Sequence, residues 1–234
     1  KYSQENSNLI ITPHIAGSTK DAWLETERHT IQTILNLLST ENTENTNNIE
    51  KNIVFAMIPA RGGSKSVPLK NMALLNNKPL IDYAINVAKN TKIVSRVICS
   101  TDSEKIASYC KKQRIEVQQR PKELSQDNIS TIDVILYLLK TLLNSDNSLP
   151  EFLVLLEPTS PFVNSNHIEM CVEALKNDSR ASSAQTVTRA SSNSHAYNQR
   201  YHDDKGSHFL FINERKTSTN KQSKPIFYIH GNVR

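Results

Sequence analysis

Glycine, proline and cysteine are all scarce in this chain of 234 residues. It contains 5 Gly, 9 Pro and 3 Cys, which excludes collagen-like and low-complexity architectures. An odd number of cysteines without metal-ligand spacing argues against a disulfide framework and indicates a reducing, cytoplasmic compartment. We therefore expect a globular chain whose cysteines are free thiols in the core or at the surface.

Long hydrophobic runs and basic blocks are absent as well. The longest apolar runs, Ile53 to Ile58 and Phe152 to Leu156, are far shorter than the roughly 20 residues that a membrane-spanning helix needs, so no membrane association is expected. The sequence begins with Lys1 and polar residues, so we recognise no secretory signal and expect the N-terminus to derive from a longer chain. The formal net charge is +5, but the basic residues are scattered, which favours a small polyanionic ligand over nucleic acid.

A polar segment divides the sequence into a short head and a long body. Residues 40–52, TENTENTNNIEKN, contain one isolated apolar residue, Ile49, and are predicted to form a linker. The head, residues 1–39, is predicted to contain a short strand around Leu9 and a helix from Asp21 to Leu38, which is too little to form a core of its own. The body, residues 53–234, is predicted to be the main domain and to be incomplete at its C-terminal end.

The body alternates short apolar strands with amphipathic helices. This order predicts an α/β fold, in which a mostly parallel sheet is covered by helices on both faces. In such sheets ligands bind beyond the carboxyl ends of the strands, so the loops that follow the strands are the candidate site. The predicted strands are 53–58, 96–100, 152–156 and 184–187, and the predicted helices are 80–89, 103–112, 131–143 and 167–176.

The loop after the first body strand combines two glycines with three cations. Paired glycines permit positive φ and let backbone N–H groups approach an anion closely, and the cations suit a triphosphate. The loop fits neither the GxxxxGK[ST] nor the GxGxxG pattern. Taken alone, it is equally compatible with a surface turn that carries solvated lysines. The glycines are Gly62 and Gly63, and the cations are Arg61, Lys65 and Lys70.

Five ordered motifs of the body resemble those of the cytidylyltransferases that activate sialic acid and related nonulosonic acids. They are IPARGGSKSVPLKN followed by KPLIDYAI, then STDSEKIA, RPKELSQD, STIDVI and LLEPTSPF. The resemblance extends from about residue 53 to about residue 190. It implies a nucleotidyltransferase (Rossmann-like) architecture, transfer of CMP from CTP to a nonulosonic acid with release of pyrophosphate, Mg²⁺ as cofactor, and a homodimer. The sequence does not indicate which nonulosonic acid is used.

The resemblance also implies roles for individual residues. The residues implied in handling the phosphates during catalysis are Arg61, Lys65 and Lys70. The residues implied in nucleotide binding are Gly62, Gly63, Ser64, Asn71, Arg120 and Ser130. The residues implied in sugar binding are Glu157, Thr159 and Ser160.

Several of these residues have structural alternatives. Arg120 is equally suited to a salt bridge at a strand end, and Ser130 to capping the helix that follows it. Thr159 and Ser160 lie between two prolines, which equally favours a rigid turn. Asp102, at the end of a predicted strand, is predicted to cap the next helix rather than to act in catalysis.

The sequence departs from the family's pattern in two places. Family members often carry an Arg shortly after the EPTSP motif, whereas this chain continues with Phe162-Val163-Asn164. The metal-binding aspartates of the family follow a stretch that 227–232 matches, and the sequence stops at Arg234, so we expect the Mg²⁺ ligands to be missing and catalysis to be impaired. Asp203 and Asp204 would point to opposite faces of a strand and are poor metal ligands. A non-catalytic module that binds CTP is therefore one alternative function.

The head resembles the C-terminal end of the D-isomer-specific 2-hydroxyacid dehydrogenases. The similar stretch is NLIITPHIAGSTKDAWLETERHT, in which His14 matches the catalytic acid/base of that family. The nucleotide-binding domain, GxGxxG loop and substrate arginine of the dehydrogenases are absent from these residues. We therefore interpret the head as a dehydrogenase remnant fused to the body, and keep a dehydrogenase fragment as the second alternative function.

Overall fold

The computed structural model describes residues 9–10, 49–64, 67–146, 149–209, 211–213 and 224–230. The predicted head helix and most of the predicted linker lie outside these ranges, so the division into head, linker and body stays a prediction.

Within the described ranges, the strands are β1 (Leu9–Ile10), β2 (Ile49–Pro59), β3 (Leu74–Leu75), β4 (Lys78–Pro79), β5 (Val94–Thr101), β6 (Glu116–Gln119), β7 (Leu149–Leu155), β8 (Gln185–Arg189), β9 (Arg200–Asp203), β10 (Gly206–Phe209) and β11 (Tyr228–His230). The α-helices are α1 (Leu80–Asn90), α2 (Glu104–Lys112), α3 (Thr131–Asp146) and α4 (Ser165–Asn177).

The main sheet has four parallel strands in the order β6-β5-β2-β7. The chain passes from β2 to β5 and β6 on one side, and then returns to place β7 on the other side of β2. The strand order therefore reverses beside β2, and ligands bind at such a reversal in open α/β sheets. The predicted α/β fold with a parallel sheet is confirmed.

The central strand β2 explains why helices cover both faces of the sheet. Its side chains alternate between two cores, because successive residues of a strand point to opposite faces. Val54, Ala56 and Ile58 pack with α1, α2 and α4, whereas Phe55 and Met57 pack with α3. All five side chains are buried. None of the helices in the described ranges has both the length and the apolar character needed to span a membrane.

Some strands differ from the prediction. β2 begins at Ile49, inside the segment predicted as linker, and its pairing register shifts around Asn52, whose φ is 63°. This irregularity allows a polar stretch to join the strand. β6 was not predicted because its sequence, EVQQ, is mostly polar, which an edge strand tolerates. Outside the main sheet, β8 pairs with β1 and β11, both antiparallel.

The cysteines are free and lie in the core. Cys99, Cys110 and Cys171 are all buried, and burial raises the pKa of Cys171 to about 12. A hydrogen bond with Cys110 and burial raise the pKa of Cys99 above its usual range. The expectation of free thiols rather than disulfides is confirmed.

Candidate active site

A cavity of about 290 Å³ lies at the carboxyl ends of β2, β6 and β7, beside the reversal of strand order. Its volume is close to the lower end of the ~300–1,000 Å³ range of small-molecule sites. Three separate loops line it: the loop after β2, the segment between β6 and α3, and the loop after β7. The sequence-predicted site residues that line it are Arg61, Ser64, Lys70, Asn71, Arg120, Ser130, Glu157 and Thr159.

Four predicted site residues are not among the residues that line this cavity. Lys65 lies outside the described residues, so its predicted role stays a prediction. Gly62 and Gly63 are in the loop after β2 but do not contribute to the wall. Ser160 is buried, and its N–H donates to the carbonyl of Glu157 at 3.0 Å. The turn anticipated for this motif is therefore present, and Thr159 rather than Ser160 reaches the cavity.

Arg120 is a buried cation in the wall of the cavity. Only 6% of its surface is exposed, and its Nη2 donates to the carbonyl of Ser100 at 2.8 Å. Within the described residues it forms no ion pair with a carboxylate, so the alternative of a strand-end salt bridge is wrong. Burial lowers the pKa of Arg120, and the nearby Asp102 partly opposes this. A buried charge without a counterion is costly, and an anion in the cavity would offset that cost.

Arg61 connects two of the three loops across the cavity. Its Nη1 lies 2.8 Å from Oδ1 of Asp127, and both side chains are partly exposed. The same nitrogen donates a long hydrogen bond of 3.4 Å to the carbonyl of Ser125. An exposed ion pair of this kind stabilises a fold by only about 0–1 kcal/mol, so a phosphate is able to compete for the guanidinium. Asp127 lies in the RPKELSQD motif, but nothing in the residues around it predicts that it pairs with Arg61.

Asn71 holds the backbone of the loop after β2. It lies in the 3₁₀ helix Lys70–Met72 and is buried. Its Nδ2 donates to the carbonyl oxygen of Arg61 at 3.0 Å. Lys70, its neighbour, also lines the cavity. Asn71 therefore fixes the backbone from which the Arg61 side chain extends, and its predicted contact with the nucleotide stays a prediction.

Ser130 begins α3 and also lines the cavity. Its Oγ accepts a hydrogen bond from the N–H of Asp133 at 3.2 Å and donates to Oδ2 of Asp133 at 2.7 Å. The N–H of Ser130 donates back to the same carboxylate at 3.2 Å. This reciprocal arrangement is a capping box. The helix-cap alternative is confirmed, and the first turn of α3 is thereby held against the cavity.

Asp102 does not cap the following helix, contrary to the prediction. Ser103 is the N-cap of α2, and its side chain makes no capping hydrogen bond. Oδ1 of Asp102 instead accepts the N–H of Gly62 at 2.8 Å. The Gly62 N–H is therefore already bonded within the protein, whereas the paired glycines had suggested N–H groups available to an anion. Neither Gly62 nor Gly63 has a positive φ, so the expected reason for the paired glycines is also wrong.

The reason for glycine at Gly62 is close packing. A Cβ atom added there would lie 2.8 Å from the Cβ of Ser103, whereas a Cβ added at Gly63 would meet nothing within 4 Å. The backbone of the loop after β2 therefore lies directly against the start of α2. The short distance also permits the Gly62–Asp102 hydrogen bond.

Gly62→Ala is expected to lower the free energy of unfolding by about 1–3 kcal/mol, because two Cβ atoms would overlap and the loop would have to shift. Gly63→Ala, the same substitution one residue later, is expected to change it by less than about 0.5 kcal/mol. Urea unfolding of the two variants and the parent chain measures both changes. Equal effects at the two positions would contradict this packing argument.

The described residues do not form a magnesium site by themselves. No three His, Cys, Asp or Glu side chains lie close enough together in these ranges to hold a metal ion. The carboxylates of Asp127 and Glu157 line the cavity, but Asp127 is paired with Arg61. Asp203 interacts with Lys205 and His208 of its own hairpin. Mg²⁺ usually combines one or two carboxylates with substrate phosphates.

Sequence comparison gives one family and several curated relatives. A family model described as cytidylyltransferase matches residues 55–231. The N-acylneuraminate cytidylyltransferase of Escherichia coli is 36% identical over 123 residues, which are 53% of this chain and 27% of the relative. The pseudaminic acid cytidylyltransferase of Campylobacter jejuni is 35% identical over 118 residues, 50% of each chain. The CMP-N,N'-diacetyllegionaminic acid synthase of Legionella pneumophila is 36% identical over 124 residues, 53% of each chain. The chain thus spans from about a quarter to about half of the length of these relatives.

Solved structures share the fold at low sequence identity. A CMP:2-keto-3-deoxy-manno-octonic acid synthetase complexed with CTP superposes with a TM-score of 0.54 and 15% identity, covering 77% of this chain and 72% of that chain. A 4-diphosphocytidyl-2C-methyl-D-erythritol synthase superposes with a TM-score of 0.53 and 8% identity, covering 79% and 75%. At these identities the likeness supports the architecture alone.

Proposed function

The chain belongs to the cytidylyltransferase family, and on that premise we propose that it transfers CMP from CTP to a nonulosonic acid, with release of pyrophosphate. The resemblance found in its motifs is confirmed by the family model and by the curated relatives. The activity and substrate of this chain are proposals, because it spans half or less of most of those relatives' length.

The buried Arg120 is the observation that carries the proposal. Its guanidinium lies in the wall of a cavity, with no carboxylate partner among the described residues. Arg61 and Lys70 line the same cavity. Three cations around one polar cavity suit a ligand with several negative charges, and CTP is such a ligand.

The reaction proposed for this site is attack of the anomeric hydroxyl of the sugar acid on the α-phosphorus of CTP. The oxygen–phosphorus bond to pyrophosphate breaks as the new bond forms, and the proton of the attacking hydroxyl is released to water. Arg61 and Lys70 neutralise the phosphate charge that otherwise repels the attacking oxygen, and also the charge that develops on the departing pyrophosphate. Lys65 is proposed to act with them. Arg120 binds and orients the nucleotide from the buried side of the cavity.

Glu157 and Thr159 are proposed to hold the sugar acid. Both follow β7, the strand that pairs with β2, and line the cavity together with the loop after β2. Carboxylate and hydroxyl groups accept hydrogen bonds from sugar hydroxyls. The names of the relatives, which specify N-acylneuraminate, pseudaminic acid and N,N'-diacetyllegionaminic acid, support a nonulosonic acid as the acceptor.

Three further properties accompany this proposal. Mg²⁺ would neutralise charge on the phosphates of CTP, although the described residues do not form its site by themselves. We also propose a homodimer, which the family resemblance implies, and a cytoplasmic location, which the free cysteines suggest.

The proposal is tested by two measurements on the full chain. Calorimetric titration with CTP and Mg²⁺ measures binding, and a pyrophosphate-release assay with a panel of nonulosonic acids measures turnover. We expect CTP to bind, and pyrophosphate to be released only when an acceptor is present. Binding without release would instead favour a non-catalytic CTP-binding module, and no affinity for CTP would refute both.

Lys70→Ala is expected to weaken CTP binding about tenfold, because one charge-assisted contact to the phosphates is lost. Lys92→Ala is the matched control, since Lys92 is exposed in the turn between α1 and β5 and does not line the cavity. The same titration at fixed ionic strength measures both variants. Equal affinities for the two variants would contradict the assignment of Lys70.

A further inference from the structure

The carboxyl end of β5 connects two of the loops that line the cavity. The carbonyl of Ser100 accepts the N–H of Ala60 at 2.9 Å and Nη2 of Arg120 at 2.8 Å. The carbonyl of Thr101 accepts the N–H of Arg120 at 2.8 Å. The loop after β2 and the residue that follows β6 are therefore both bonded to Ser100, and Arg120 is bonded to Thr101 as well.

Asp102 extends this connection beyond the end of the strand. Its Oδ1 accepts the N–H of Gly62 at 2.8 Å, although 40 residues separate the two in sequence. Gly62 directly follows Arg61, whose carbonyl oxygen is held from the other side by Asn71. The peptide unit between Arg61 and Gly62, directly after the Arg61 side chain, is thus held at both its N–H and its carbonyl oxygen by the side chains of Asp102 and Asn71.

Asp102 also contributes charge at the site. Arg120 and Arg61 repel each other, and the proximity of Arg61 adds to the effect of burial in lowering the pKa of Arg120. The negative charge of Asp102 acts in the opposite direction on the same group. Arg61 has its own counterion in Asp127. Asp102 therefore influences Arg120 only at a distance, and Arg120 has no ion-pair partner among the described residues.

We propose that Asp102 is a positioning residue of the nucleotide site: its carboxylate accepts the Gly62 N–H and so fixes the turn that carries Arg61. The inference rests on the proposed binding of CTP at this cavity. Asp102 does not line the cavity, so it acts through the position of Arg61 rather than by touching the nucleotide.

Two substitutions separate the hydrogen bond from the charge. Asp102→Asn keeps a side-chain oxygen that accepts the Gly62 N–H but removes the charge, and Asp102→Ala removes both. We expect the affinity for CTP to fall about tenfold in Asp102→Ala, which loses the hydrogen bond, and to change by less than about threefold in Asp102→Asn, which keeps the acceptor and removes only a charge that would repel the phosphates. Ser103→Ala is the matched control, because its side chain makes no capping hydrogen bond, and we expect it to bind CTP as the parent chain does.

Hydrogen exchange of the Gly62 amide provides a readout that does not depend on CTP. We expect the amide to be protected in the parent chain and in Asp102→Asn, and to exchange faster in Asp102→Ala at an unchanged thermal midpoint. A merely structural residue would instead lower the midpoint and speed exchange throughout β5 and α2.

Two results would overturn the inference. One is an Asp102→Ala chain that binds CTP as tightly as the parent, and the other is a Gly62 amide that exchanges equally fast in all variants. If the parent chain has no affinity for CTP, the proposed function fails, and the exchange at Gly62 still decides whether Asp102 fixes the turn. A tenfold loss in Asp102→Ala, with an affinity close to that of the parent chain in Asp102→Asn, supports the assignment.

Discussion

Arg120→Met is expected to lower the affinity for CTP roughly a hundredfold, without lowering the free energy of unfolding. The guanidinium is buried and lacks a carboxylate partner among the described residues, so an anionic ligand is the group best placed to neutralise it. Replacing a buried charge by an apolar side chain of similar size is often neutral or stabilising. The carbonyl of Ser100 keeps the N–H of Ala60 as a donor and is not left unsatisfied.

The measurement is a pair of titrations, calorimetry for CTP and urea unfolding for stability, on the same preparations. Arg180→Met is the matched control, since the Arg180 side chain is 85% exposed and pairs only locally with Asp178. We expect the control to leave CTP affinity unchanged. An Arg120→Met chain that binds CTP normally, or one that is much less stable than the parent, would show that Arg120 serves the fold rather than the ligand.

Ile58→Ala is expected to lower the free energy of unfolding by about 2–5 kcal/mol. Ile58 is fully buried in the central strand β2, in the core that α1, α2 and α4 share. Removal of its outer carbons leaves a cavity that a strand held on both sides cannot close. Ile58→Val removes a single methylene and is expected to cost about 0.5–1.5 kcal/mol.

Urea unfolding monitored by circular dichroism compares these variants with Ile93→Ala, in which the replaced side chain is 37% exposed. We expect the smallest loss for Ile93→Ala. A loss at Ile58 no greater than that at Ile93 would mean that β2 is not the centre of the packed sheet.

The elements that could be predicted from the sequence are those whose apolar pattern is local. β2 and α1 show it most clearly: one is a short apolar run, and the other repeats Ile81, Ala84, Ile85 and Ala88 at helical spacing. β6 could not be predicted, because its EVQQ sequence becomes a strand only through the hydrogen bonds that the edge of β5 offers. Tertiary context decides such polar strands.

The candidate site also combines features that could be predicted from the sequence with features that could not. Its members could be predicted because they follow strands, and the parallel topology brings those loops to one edge of the sheet. The residues that bond to these site members could not be predicted. Arg61 meets Asp127, and Gly62 meets Asp102, across 40 residues or more of sequence, and no spacing rule relates residues so far apart. The prediction that Asp102 caps α2 was wrong for this reason. It expected a hydrogen bond to a neighbouring residue, whereas the Asp102 carboxylate accepts one from the distant Gly62.

The position of β7 has a consequence for the order in which the molecule assembles. β7 joins β2 in parallel, and the hydrogen bond from Asn52 to Glu151 spans 99 residues. Closing so long a segment is entropically costly, and sheets of this topology fold slowly for that reason. During synthesis β2, β5 and β6 are all available before β7 emerges from the ribosome. The wall that carries Glu157 is therefore the last to be added, and the nascent chain acquires its complete cavity only at the end of this closure.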